Sequence, residues 1–138
     1  MSMSSKTILL VDDEASQLEQ LGEALRAAGY LVLLAGDYDE AVAVYQRRQG
    51  VIDMLVTDLA LPGRNGYELA LTLLAIQPKL ELLFTSAQAG AELHRFYGMI
   101  PPDEHFLEKP FHPTSLVRRV RDLLERPEPM SESAGASG

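Results

Sequence analysis

The sequence predicts an α/β fold: a single doubly wound, five-stranded parallel sheet in the order 2-1-3-4-5, with helices on both faces. Three observations predict it. Short uninterrupted apolar runs, the mark of strands buried on both sides, alternate with stretches whose apolar residues recur at three and four positions, the mark of helices lying on a core, from Ile8 through Phe84. The connections are short, so each strand–helix–strand crossover is right-handed and must cover the sheet. The apolar runs also end on polar or acidic residues, as in open parallel sheets, which gather ligand-binding groups beyond the carboxyl ends of their strands.

Ile8-Leu9-Leu10-Val11 reads as the first strand and ends on Asp12-Asp13-Glu14. Leu18, Leu21, Leu25 and Ala28 form the stripe of helix one, and Gly29 stands where a left-handed C-terminal cap is wanted. Leu31-Val32-Leu33-Leu34 is the second strand; Ala41, Val42, Val44 and Tyr45 mark a helix ending near Gly50. Met54-Leu55-Val56-Thr57-Asp58 is the third strand, closed by the Pro62 to Gly66 turn. Leu69, Leu73 and Ile76 form the next stripe, stopped by Pro78, and Leu80 to Phe84 is the fourth strand, followed by Thr85-Ser86-Ala87. Residues 88 to 99 read as a weaker helix. Beyond Pro101-Pro102 come a short Phe106-Leu107 strand, Lys109-Pro110, and a last helix opened by Pro113 with Leu116, Val120, Leu123 and Leu124 inward. From Pro127 onward Pro, Ser, Gly and Glu dominate, so 126–138 is expected to be a disordered tail behind one domain at 6–125.

Composition narrows the function. With 138 residues, 46% of them apolar, the chain fits one compact domain. The absence of cysteine excludes disulfides, thiolate metal sites and thiol redox chemistry, and fits a cytoplasmic protein. A net charge of -8 opposes direct binding of nucleic acid or anionic lipid. No apolar run approaches the ~20 residues needed to cross a bilayer, so no membrane role is expected.

The strand order places its topological switch between strands one and three, where Asp12, Asp13 and Asp58 would converge. Three carboxylates in one crevice repel one another unless a cation joins them. Mg²⁺ is the natural cation, because it prefers oxygen ligands and is typically held by one or two carboxylates, with waters and phosphate oxygens in the remaining positions. Ser86 and Lys109, at the ends of strands four and five, would add a hydroxyl and a cation to the same rim. The set suits phosphoryl transfer to a carboxylate, with Asp58 as nucleophile and Lys109 with the metal neutralising the transferred charge.

Asp12-Asp13, Asp58, Ser86-Ala87 and Lys109-Pro110-Phe111, each behind its strand in order, resemble the receiver domain of bacterial two-component response regulators over about residues 6 to 125. The resemblance implies that Asp58 is the phosphoacceptor, Asp13 a direct metal ligand, Asp12 a water-mediated or supporting partner, and the Ala60 carbonyl a further ligand. Ser86 would be the switch hydroxyl and Lys109 the phosphate-binding lysine. The implied partner is a histidine kinase or phosphotransfer domain, the implied role a phosphoacceptor rather than an enzyme. The segment from Gly98 to Phe111 resembles receivers of hybrid sensor kinases more than those attached to DNA-binding domains. Phe106 stands where the family often has tyrosine, so a switch through it would act by packing alone. The surface from 88–108 and 113–125 is then the expected docking face for a downstream protein or a second copy.

Other readings of these residues remain beside this one. Asp13 also suits the N-cap of helix one, Ser86 a local backbone bond, and Lys109 a solvated charge. His94, His105 and His112 lack metal spacing, and Arg118, Arg119 and Arg121 lie outside the apolar stripe, on a solvated face. A phosphorylation-independent pseudo-receiver is the alternative function. A Mg²⁺-dependent phosphohydrolase would need a general acid two residues after Asp58, where Ala60 stands. A dinucleotide site fails for want of Gly-x-Gly-x-x-Gly after strand one.

Overall fold

The computed structural model describes residues 6–49, 51–87 and 103–125. In chain order these form β1 (Thr7–Val11), α1 (Ala15–Ala27), β2 (Leu31–Ala35), α2 (Tyr38–Arg47), β3 (Met54–Asp58), α3 (Gly66–Ile76), β4 (Glu81–Ser86), a 3₁₀ turn (Asp103–His105), β5 (Phe106–Glu108) and α4 (Pro113–Glu125). The five strands are parallel in the order β2-β1-β3-β4-β5. Both the class and the order expected from the sequence hold.

The period-2 alternation of a strand explains why uninterrupted apolar runs suit this sheet: neighbouring residues point to opposite faces, and both faces are covered. Ile8, Leu10, Met54, Val56 and Leu83 pack with Leu21 and Leu25 of α1 and Leu116, Val120 and Leu123 of α4. Leu9, Val11, Leu55 and Phe84 pack on the other face with Ala41, Val44 and Tyr45 of α2 and Leu69, Ala70 and Leu73 of α3. The sheet thus divides the core into two layers. Leu25, Leu69, Leu73 and Leu116 are wholly buried, each worth roughly 1.5–3 kcal/mol.

Local signals set the helix ends. Asn65 and Glu68 form a reciprocal capping box on α3, each side chain accepting from the other's backbone N–H at 2.9 Å. Asp37 caps α2 by accepting from Glu40 N–H at 2.8 Å, and Gly29 closes α1 at φ +104°. At α1 the expectation fails: the N-cap is Glu14, not Asp13, and its side chain makes no capping bond. Asp12 Oδ1 accepts the Glu14 N–H at 2.9 Å instead, and this leaves the exposed Asp13 carboxylate uncommitted to the helix end.

Other boundaries shift modestly. β4 runs on through Thr85 and Ser86 because the ladder with Asp58 and Glu108 continues to its tip. α2 stops at Arg47, before Gly50. Ile76 is 60% exposed rather than inward, since α3 ends there and turns its last residue from the core. Arg119 is not simply solvated: its Nη1 donates to the Phe106 carbonyl at 2.7 Å and ties α4 to β5. The expected helix over 88–99, with His94, and the tail 126–138 lie outside the described residues. Among the described residues no helix is long and apolar enough to cross a membrane.

Candidate functional site

Three strand ends build the site. Asp12 follows β1, Asp58 ends β3, and Lys109 follows β5. Because β1 and β3 are hydrogen-bonded neighbours, their tips bring the two acids together at the switch point, and Asp13 joins them from the start of the β1–α1 connection. Carboxylate oxygens of Asp12, Asp13 and Asp58 all lie within 4.8 Å of one another. Asp12 and Asp58 are buried, and Asp13 is exposed at the mouth.

Lys109 joins the buried pair. Its Nζ donates to Asp12 Oδ2 at 3.0 Å and to Asp58 Oδ2 at 2.9 Å. The lysine backbone is fixed by its N–H, which donates to the Ser86 carbonyl at 2.8 Å; its peptide bond to Pro110 is cis. Burial pushes the Asp58 carboxyl above the usual range; Lys109 works against the rise, and Asp12 adds to it. For Lys109 burial works downward, but the bonds to Asp58 and Asp12 outweigh it and hold the ammonium above its ordinary value. One ammonium against three carboxylates leaves a net charge of minus two in a hard-oxygen donor set, the chemistry a small divalent cation satisfies.

The remaining expected residues fall as follows. Ala60 is exposed, and its N–H donates to Asp58 Oδ1 at 3.3 Å, which orients the carboxylate. Ser86 is wholly buried at the tip of β4, one position past Thr85, the residue in register with Asp58. Phe106, in register with Phe84, is half-buried and packed against the α2/α3 layer. His105 is a packing residue, its Nδ1 within 2.9 Å of the Leu82 carbonyl; His112, just before α4, pairs with Thr114 in the first turn of that helix.

Two supports for Asp58 escaped the sequence reading. Thr57 Oγ1 donates to the Asp58 carbonyl at 3.0 Å. Gly66 packs so closely that an added Cβ would fall on that same carbonyl oxygen, while its N–H donates to Leu59 O at 3.0 Å. The glycine three residues after the Pro62-Gly63 turn was the available signal for such a close backbone approach.

Comparison with known proteins fits this geometry. The family model described as the response regulator receiver domain matches residues 8–121. The phosphate regulon transcriptional regulatory protein PhoB of Pseudomonas aeruginosa is 35% identical over 133 residues, which cover 96% of this chain and 57% of that protein. The chain spans about half the length of the transcriptional regulators it matches. Among solved structures, the non-phosphorylated HemR receiver domain from Leptospira biflexa aligns with a TM-score of 0.75 at 33% identity over 91% of this chain and 98% of that one. The receiver domain of the hybrid histidine kinase CckA aligns with a TM-score of 0.63 at 31% identity over 86% and 99%. The likeness therefore extends beyond receivers of hybrid kinases. With its 2-1-3-4-5 sheet and its acids at the switch point, the chain belongs to the response regulator receiver domain family, the signalling modules of two-component systems.

Proposed function

We propose that residues 6–125 are the phosphoacceptor module of a phosphorelay, in which Asp58 takes a phosphoryl group from the phosphohistidine of a histidine kinase or phosphotransfer domain. The observation that carries this reading is the buried Asp58 carboxylate, bonded by Lys109 at 2.9 Å and grouped with Asp12 and Asp13. A carboxylate oxygen of Asp58 forms the new P–O bond as the P–N bond of the donor breaks. The leaving imidazole nitrogen keeps the electron pair and takes up a proton. Lys109 holds Asp58 Oδ2 and meets the incoming phosphoryl oxygens with its ammonium. Asp12, Asp13, Asp58 and the Ala60 carbonyl would hold Mg²⁺, which supplies further neutralisation of the phosphoryl charge when bound.

The carboxylate is consumed in the transfer, and Ala60 offers no acid or base to a hydrolytic water, so the domain is an acceptor and not a turnover enzyme. For output, the buried Ser86 hydroxyl swings toward the phosphoryl group, and Phe106 moves deeper into the space it leaves. The face that changes spans 88–108 and 113–125 and receives a downstream protein or a second copy, in the cytoplasm and without direct nucleic-acid contact. Intact-mass spectrometry after incubation with Mg²⁺ and phosphoramidate tests the reading. One phosphoryl group is expected on the wild type and none on Asp58→Asn; equal labelling of that variant would remove Asp58 from the role.

A further inference from the structure

Among the described residues β2 is an edge strand of the sheet, and its surroundings differ from those of an ordinary protected edge. Leu31 N–H donates to the Lys6 carbonyl, and the Ala35 carbonyl accepts from Asp12 N–H, so residues 31, 33 and 35 aim their backbone groups at β1. By the alternation of a parallel ladder, Val32 and Leu34 aim theirs away from the sheet. A cleft of about 210 Å³ lies along this edge, lined by Arg26, Tyr30, Leu31, Val32, Leu33 and Arg48. Its apolar lining includes Leu31, 52% exposed.

The two arginines reach the cleft from opposite sides of the sheet. Arg26 stands in the last turn of α1, which covers one face; Arg48 is the C-cap of α2, which covers the other. Arg26 Nη2 donates to the outward carbonyl of Val32 at 3.0 Å, so a guanidinium occupies the place of a strand partner. Arg48 makes no ion pair among the described residues. Two guanidinium groups straddling an apolar strand edge form a cationic pocket on a chain whose net charge is -8.

We propose that the β2 edge docks an extended, acidic segment of a partner protein, added as a sixth strand, independently of the Asp58 site. Adjacent residues of a strand point to opposite faces. A segment with two acids at odd spacing therefore presents one to Arg26 and the other to Arg48, while its backbone takes the outward groups of Val32 and Leu34 as Arg26 releases the Val32 carbonyl. Of the two residues between the acids, the one on the α2 side is apolar and covers Leu31 and Leu33, which share that face.

The test uses the full chain and a synthetic octapeptide of threonine and valine with glutamates at its third and sixth positions. A control peptide carries them at the third and fifth, on one face. Amide-resolved NMR titration with hydrogen exchange should show the odd-spaced peptide slowing exchange at Val32 and Leu34 and binding severalfold tighter than the control. Arg48→Glu, an exposed substitution that leaves the Val32 carbonyl bond intact, should weaken it roughly five- to tenfold, and Arg26→Glu similarly. Equal binding of both peptides, equal binding by Arg48→Glu, or unchanged exchange at Val32 and Leu34 would overturn the proposal. So would a dimer of the free protein in sedimentation that Arg48→Glu dissociates, which would give the edge to a second copy.

Discussion

Lys109→Met removes the ammonium that Asp12 and Asp58 share and keeps a stem of comparable reach. It leaves two carboxylates with side-chain exposures of 4% and 9% facing each other. Removing one partner of a buried pair costs about 3–5 kcal/mol. A ceiling comes from proton uptake: Asp58 can fold neutral, and at pH 7 this costs about 1.4 kcal/mol for each unit above an unfolded pKa near 3.9, about 4 kcal/mol in all. The two figures agree. In the variant Asp58 titrates far above its unfolded value, so the folded state keeps a proton that the unfolded chain has released, and stability falls as pH rises. At pH 5 the penalty should therefore shrink to about 1.5 kcal/mol. In the wild type burial already raises Asp58, but Lys109 opposes it, so its own upturn lies at lower pH. Urea unfolding followed by circular dichroism at pH 7 and pH 5, with chelator present, measures both differences. A penalty below about 1 kcal/mol at pH 7, or one equal at the two pH values, would refute the view that Lys109 compensates buried charge.

Three further outcomes follow from neighbouring features. Mg²⁺ at 100 times its dissociation constant should stabilise the wild type by about 2.7 kcal/mol, and Asp13→Ala should lose most of that gain in thermal melts; an undiminished gain would move the metal away from the acid cluster. Gly66→Ala gains helix propensity of about 1 kcal/mol but drives a Cβ into the Asp58 carbonyl, so a net loss of roughly 1–2 kcal/mol is expected by urea unfolding, with slower phosphoryl labelling. Burial, with the 2.9 Å bond to Glu125, holds the Tyr30 hydroxyl at about 12 instead of 10, so its contribution to stability is complete below pH 10 and declines as pH rises toward 12. Tyr30→Phe should flatten the stability curve over that window, and an unchanged slope would assign the decline to other groups.

The central strands were legible because burial on both faces forces apolar runs, and the site because Asp12 and Asp58 close two of those runs while Lys109 follows the short Phe106–Glu108 strand. What escaped was local competition. Three acids in a row after β1 can each serve a helix start, and nothing in their order reveals that Asp12 takes the Glu14 N–H and leaves Asp13 free. Arg119 reads as a surface charge until its reach to the Phe106 carbonyl across 13 residues is known. Thr57 and Gly66 support Asp58 through backbone contacts, which side-chain patterning does not encode.

The two-layer core has a consequence for how a signal travels. Counting by strand parity, Asp12, Asp58 and Lys109 belong to the side of α1 and α4, with Leu10, Val56 and Leu107; Ser86 and Phe106 belong to the side of α2 and α3, with Phe84. The sheet is then an insulating wall between the charged groups and Phe106, and the doorway is its carboxyl rim, where Ser86 meets the backbone of Lys109. Repacking beneath α1 and α4 should change how firmly the domain holds together without changing what it transmits, whereas a small alteration at the tip of β4 should silence transmission in a domain that is otherwise as robust as before.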